Sequence, residues 1–195
     1  MSSGDSSFSC EDKLFLLRLA RSAMEAKLLK KSAPDLGTLP GSLNVTASCF
    51  VTLHTKGGEL RGCIGNIGGF EPLGSNVLHN AVNSAFRDPR FAPVSSIEEL
   101  NRLEIEISIL TAPEKIASLD EFIVGEHGII IQKGGASAVF LPQVAPEQGW
   151  DKNTTLTHLS MKAGMSPDAW REKGAEFSVF RAIVFAEKDF KGEIN

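Results

Sequence analysis

The densest chemistry in this chain lies in six residues, Leu60-Arg61-Gly62-Cys63-Ile64-Gly65, which carry a guanidinium, a thiol and two glycines. A thiolate is the reactive form of cysteine, and a neighbouring cation lowers its pKa. Arg61 stands two positions from Cys63, on one face of a strand. His54 lies upstream, across a Lys56-Gly57-Gly58-Glu59 turn. Cysteine with a nearby histidine is the smallest pair for covalent catalysis, so Cys63 is the candidate nucleophile. It suits equally a small apolar strand residue. Arg61 offers a planar fork to a carboxylate or another anion, or a cross-strand pair with an acid. Gly62 and Gly65 let a ligand approach the backbone, or mark a bulge or close packing.

Other candidates are scattered. Arg87, Asp88 and Arg90 flank Pro89 on a stiff connector; they suit an anionic ligand, or bridge one another. His127 leads into a second hairpin as a proton shuttle or a capping residue. Gln143, Trp150 and Asp151 lie in one loop, where Trp150 lines a pocket or anchors the loop. Cys49 and Cys10 read as structural. The four histidines and three cysteines show no CxxC, HxxH or HxxxH spacing, so no zinc-finger-like metal site is expected. The glycines after Gly62 lead to no Gly-Lys-Ser/Thr ending, which rejects a phosphate loop. No cofactor is expected.

These groups need a scaffold. A two-residue Gly57-Gly58 loop would set His54 opposite Arg61, Thr52 opposite Cys63 and Val51 opposite Ile64. Val45, Ala47, Cys49, Val51 and Leu53 then share the core face with Gly62 and Ile64, while Thr52, His54, Arg61 and Cys63 occupy the other.

Upstream, residues 1–8 read as a flexible tail. Ser9 caps a helix running to about Lys31, and residues 32–44 form a loop. Downstream, Pro72 opens a helix that Asp88-Pro89 stops near Arg87. Leu103 to Ile109 alternates as a half-buried strand. Ser118 to Glu121 fits a capping box. A second hairpin turns at Lys133-Gly134-Gly135, and a helix around Leu156 ends at Gly164. Phe177 to Glu187 reads as one last strand. Two Lys-Gly-Gly hairpins, each followed by a helix, hint at an internal duplication. The class is α+β.

Bulk properties narrow the function. The charge balance, 20 Lys+Arg against 24 Asp+Glu, gives no basic footprint for nucleic acid. No apolar run is long enough to span a bilayer, so no membrane is expected. The polar start, MSSGDSSFS, has no apolar signal region. The odd cysteine count without framework spacing points to a reducing cytoplasm.

FVTLHTKGGELRGCIG (50–65) resembles the signature of the AMMECR-type family, named after a human chromosomal deletion region. NSAFRDPRF (83–91), LEIEISILTAPEKI (103–116), GEHGIII (125–131), LPQVAPEQGWD (141–151) and KAGMSPDAW (162–170) resemble it too. The likeness covers roughly residues 10–190. It implies a single domain over 9–190, built of two related, interlocked hairpin-plus-helix subdomains that share a curved, mostly antiparallel sheet with a cleft between them. It also implies a neighbourhood of Memo-type and radical-SAM proteins, and so a role in a modification pathway. Two readings stand: a cleft around Arg61-Gly62-Cys63 that binds a small molecule or peptide, with Cys63 as the candidate catalyst, or a non-catalytic binding or adaptor protein in which the motif is structural.

Overall fold

The computed structural model describes residues 8–37, 39–68 and 71–190. The expected tail, residues 1–8, lies outside them except for Phe8, which packs against the first core. The chain forms two compact units: one takes in residues up to Ile109 and from Ile183 on, the other Leu110–Ala182.

The first unit begins with α1 (Cys10–Leu28), where Ser9 and Asp12 form a reciprocal capping box. The helix stops short of the expected Lys31. Lys30 turns left-handed, with φ 54°, and the Lys31 N–H reaches back to the Ala26 carbonyl. Then follow β1 (Ser48–Thr55), β2 (Leu60–Gly65), α2 (Leu73–Phe86), α3 (Ile97–Leu100) and β3 (Leu103–Leu110). The sheet order is β2-β1-β3-β8, with β8 at Ala182–Ala186. Alternation sends Val51, Leu53, Ile105 and Ile107 into a core with Leu17 and Met24 of α1 and Val77 and Ala81 of α2. Val45, expected in that core, precedes the strand and is exposed. Arg21 of α1 grips both Glu187 oxygens at 2.6 Å and donates to the Leu103 carbonyl, which ties the helix to the end of the sheet.

The second unit holds β4 (Glu114–Ile116), β5 (Gly128–Lys133), β6 (Ala136–Phe140), α4 (Val144–Gln148), α5 (Lys152–Lys162) and β7 (Glu176–Phe180). Its sheet order is β4-β7-β5-β6, all antiparallel. Phe122, Ile129, Ile131, Leu156, Leu159 and Phe177 form its core. Asp151 caps α5 through the Thr154 N–H at 2.7 Å.

This is the α+β class expected from the sequence, with the strands divided between two four-stranded sheets rather than running through one. The two sheets have the same order. Each sheet runs from its hairpin's second strand to the first and then to a third strand, taken from β1–β3 in one and β5–β7 in the other; the fourth is exchanged, β8 in the first and β4 in the second. The single strand expected over Phe177–Glu187 is therefore two, β7 and β8, in different sheets. Arg181 marks the break, exchanging bonds with Thr111 at 2.9 Å in both directions.

The hairpins differ in their turns. Gly134 and Gly135 both have positive φ, 56° and 87°, and Lys133 pairs with Ala136 across a two-residue loop. In the first hairpin only Gly58 does, at 86°. There Thr55 N–H bonds the Glu59 carbonyl, which leaves a three-residue loop of Lys56, Gly57 and Gly58. The expected two-residue loop is thus corrected. A bulge at Arg61 absorbs the extra residue, so Thr52 still faces Cys63 and Val51 still faces Ile64. His54 faces Leu60, not Arg61.

Candidate functional site

The LRGCIG segment is β2, the edge strand of its sheet. An edge strand presents backbone N–H and C=O groups with no strand to receive them. At Cys63 these groups have other partners. Its N–H donates to Asp88 Oδ2 at 2.9 Å, and its carbonyl accepts from Arg90 Nη2 at 3.3 Å. Asp88 is buried, and its carboxylate also takes Arg90 Nε at 3.0 Å, Nη2 at 2.7 Å and the Arg90 backbone N–H at 3.1 Å. The last bond is an Asx turn, which the fixed φ of Pro89 suits. The Asp-Pro-Arg connector thus stands where a neighbouring strand would stand.

The electrostatics follow from this packing. Arg90's side-chain hydrogen bonds hold the Asp88 carboxyl far below the ordinary carboxylate range, against the opposing effect of burial. Burial pushes the Cys63 thiol up; the Thr52 hydroxyl, which donates to Cys63 Sγ at 3.3 Å, and the Arg90 cation oppose that only in part. The cation acting on Cys63 is Arg90 rather than the expected Arg61. Burial thus acts against thiolate formation at Cys63. Cys49, on the core face, is pushed up to about 12 by burial.

Arg61 takes the acid-pair alternative. Its Nη2 meets Glu99 Oε1 of α3 at 2.7 Å. Glu99 also accepts the Ser95 N–H, the leading cause of its lowered pKa. Both Arg61 and Arg90 lie over the Phe91 ring, 5.9 and 5.4 Å from its centroid. Arg87 is exposed beyond them, bonded to Asn83.

Both glycines of the motif are accounted for by close packing. A Cβ on Gly62 would stand 2.2 Å from the Ser84 carbonyl oxygen of α2. One on Gly65 would meet the Phe50 ring at 2.3 Å, Phe50 being its cross-strand partner. The second sheet repeats the device, with Gly128 under the ring of its partner Phe180 at 2.3 Å. Gly62 thus lets α2 settle on the hairpin.

The second unit holds the remaining candidates. His127 Nδ1 accepts the Ile123 N–H at 3.3 Å, a capping role. Trp150 stacks on His158 with centroids 4.1 Å apart and meets Phe140 at 5.7 Å, anchoring its loop. Gln143 buries an Oε1 with no hydrogen-bond partner among the described residues. The structure thus gathers Arg61, Gly62, Cys63, Asp88 and Arg90, with Gly65 further along β2. It does not bring His54 opposite the thiol or the guanidinium.

Two buried polar groups escaped the sequence reading. Asn76 and Asn80 hold the backbone N–H and C=O of Cys49 at 2.9 and 3.0 Å, and both reach Asn66 Oδ1, just after the motif. Their signal was the four-residue spacing of Asn76 and Asn80, one helical turn apart. On the face of the sheet opposite its core, Ser48 and Ser108 bury hydroxyls that lack a partner among the described residues. Small polar residues alternating with Cys49 and with Ile107 and Ile109 were the signal there. Among the described residues, no group of three acidic, His or Cys side chains is placed to hold a metal, and no helix is long and apolar enough to cross a membrane.

Comparison with known proteins gives consistent likenesses. Residues 17–185 match the family model AMMECR1. A protein of Methanosarcina acetivorans is 43% identical over 187 residues, 91% of this chain and 92% of its own length. Protein MJ0810 of Methanocaldococcus jannaschii is 38% identical over 191 residues, 94% of each. The crystal structure of uncharacterized protein PH0010 from Pyrococcus horikoshii has a TM-score of 0.83 and 37% identity, covering 88% of this chain and 89% of that one.

Proposed function

The chain belongs to the AMMECR1 family, and from that premise we propose that it works as a binding component of a modification pathway rather than as a cysteine-dependent catalyst. One observation carries the reading. The N–H, the carbonyl and the thiol of Cys63 are each engaged by the chain itself, through Asp88, Arg90 and Thr52. A nucleophile needs a free, ionised sulfur, and this one is half-buried, bonded to the Thr52 hydroxyl, with its pKa raised by burial. The ligand surface of this reading is the Arg61–Phe91–Arg90 edge, where a small molecule or peptide bearing a carboxylate meets guanidinium donors left over from the Glu99 and Asp88 pairs. Arg87 extends that surface. The partners named are Memo-type and radical-SAM proteins, through the family resemblance. The compartment is the cytoplasm, which three free thiols support.

Alkylation of the folded protein tests the reading. Exposed Cys10 labels first. Cys63 labels only as the protein unfolds, and Arg61→Ala leaves its rate unchanged. Labelling of Cys63 ahead of Cys10 in the native state, slowed by Arg61→Ala, would restore the catalytic alternative.

A further inference from the structure

Two helices end in the same way with different residues. At the end of α5, Gly164 is left-handed at φ 74°; its N–H bonds the Met161 carbonyl at 2.9 Å, and the Met165 N–H reaches the Ser160 carbonyl at 3.0 Å. This is the Schellman motif, and glycine suits it because a Cβ at a left-handed position crowds the backbone. α1 closes with the same pair of bonds, from the Lys30 N–H to the Lys27 carbonyl at 3.3 Å and from the Lys31 N–H to the Ala26 carbonyl at 2.8 Å. Its left-handed position holds Lys30, the one non-glycine residue with a positive φ among the described residues. The helix dipole favours a cation here, but Lys27 and Lys31 already supply that charge on either side. Lys30 adds a further ammonium at a position where glycine would be more stable.

We infer that the end of α1 is a docking knob for an acidic segment of a partner protein. Lys27, Lys30 and Lys31 are exposed, and among the described residues their ammonium groups have no ion-pair or hydrogen-bond partner. Leu29 lies between them in the chain and is 50% exposed, one of the large apolar side chains that the fold leaves outside its cores. Free cations around an apolar centre complement a run of carboxylates broken by an apolar side chain. The charges select the occupant and steer its approach. A second copy of this chain would bring like charges to the same place, which opposes self-association there. Nucleic acid fits less well. The stretch KLLKKSAP (27–34) offers no aromatic ring on which a base could stack, and the chain carries a net charge of −4. The strain at Lys30 supports a binding role, since left-handed backbone at non-glycine residues concentrates at functional positions. This inference uses no residue of the LRGCIG edge, so it and the reading above fail separately.

The test reads stability and binding on the same variant. The probe is a capped, dye-labelled peptide with Leu between two Glu-Glu pairs, titrated with the whole chain by fluorescence anisotropy at low salt; a control peptide has Gln for every Glu. The Glu peptide binds at least about fivefold more tightly than the Gln peptide, and the difference shrinks in high salt. Lys30→Gly raises the melting temperature by about 2 to 4 °C. The same change weakens the Glu peptide about threefold or more. Because that variant is more stable than wild type, its lost affinity does not come from unfolding. Lys27→Glu together with Lys31→Glu leaves the left-handed position untouched and abolishes the preference for Glu. Equal binding of the two peptides, or unchanged binding by Lys30→Gly, overturns the inference. So does a melting temperature lowered by Lys30→Gly, because Lys30 then serves the fold itself. Tighter binding of a dye-labelled oligothymidylate of similar length overturns it too, because the occupant is then a nucleic acid.

Discussion

The same tripeptide, Lys-Gly-Gly, turns both hairpins, and it turns them differently. In the second, both glycines are left-handed and the strands run on in register. In the first, only Gly58 is left-handed, the loop grows to three residues, and Arg61 is spent as a bulge. Each choice has a consequence. The bulge re-aims Arg61 toward Glu99 and leaves Gly62 against the Ser84 carbonyl, so the first hairpin is locked to α2, α3 and the Asp88 connector. In the second hairpin Ala138 fills the corresponding buried role beside Leu156 and Leu159 of α5, and at the edge the Val139 carbonyl accepts from Lys162. One strand order thus carries two differently treated hairpin edges.

That contrast breaks most readily at Gly62. Gly62→Ala drives a Cβ into a backbone carbonyl and costs about 3 kcal/mol in denaturant unfolding. Ala138→Gly in the other hairpin costs about 1 kcal/mol. Equal costs would mean that α2 is not seated on Gly62 as described.

Asp88→Asn comes next, at about 2 kcal/mol, because Arg90 and the Cys63 N–H lose a charged acceptor. The folded pKa of Asp88 is depressed below its unfolded value of about 3.9. Its stabilisation is therefore fully present above about pH 5 and is lost as pH falls through the folded value. Wild type and variant should differ by a constant amount above about pH 5 and converge in stronger acid. A gap that stays constant into acid would remove Asp88 from the account.

The turns separate more finely. Gly134→Ala forces a left-handed φ of 56° on a side chain and costs about 1 kcal/mol. Gly57→Ala has no positive φ to satisfy and meets only Thr55 Oγ1 at an ordinary 3.6 Å, so it is neutral or stabilising by up to about 0.5 kcal/mol. Arg61→Ala costs little, about 0.5 kcal/mol, because its ion pair with Glu99 is partly exposed. Thermal melts of the three variants check the order.

The sequence made the elements legible because their signals are local. Ser9 and Ser118 cap as their spacing demands, Asp88-Pro89 stops α2 at Phe86, and alternation places Cys49 and Cys63 on opposite faces. The pairing of Thr52 with Cys63 came through although the loop length did not, since the Arg61 bulge restored the register. Nonlocal facts stayed hidden. Nothing in Phe177–Glu187 says that the strand changes sheets at Arg181, because both halves are equally apolar. Asp88 lies 25 residues from Cys63 in sequence, so its grip on that N–H, and the loss of thiolate character that follows from burial, needed the fold. The same holds for Arg61, whose choice between a ligand and Glu99 rests on where α3 lies.

Residue-resolved amide hydrogen exchange tests the central contrast most directly. The Cys63 N–H, bonded to a buried carboxylate, should exchange only with global unfolding, while the Val139 N–H, facing outward from β6, should exchange far faster through local opening. Asp88→Asn should release the first and leave the second unchanged. A Cys63 amide that exchanges as fast as that of Val139 in the wild-type protein would contradict a closed LRGCIG edge, and with it the account of Cys63 as a residue held for structure.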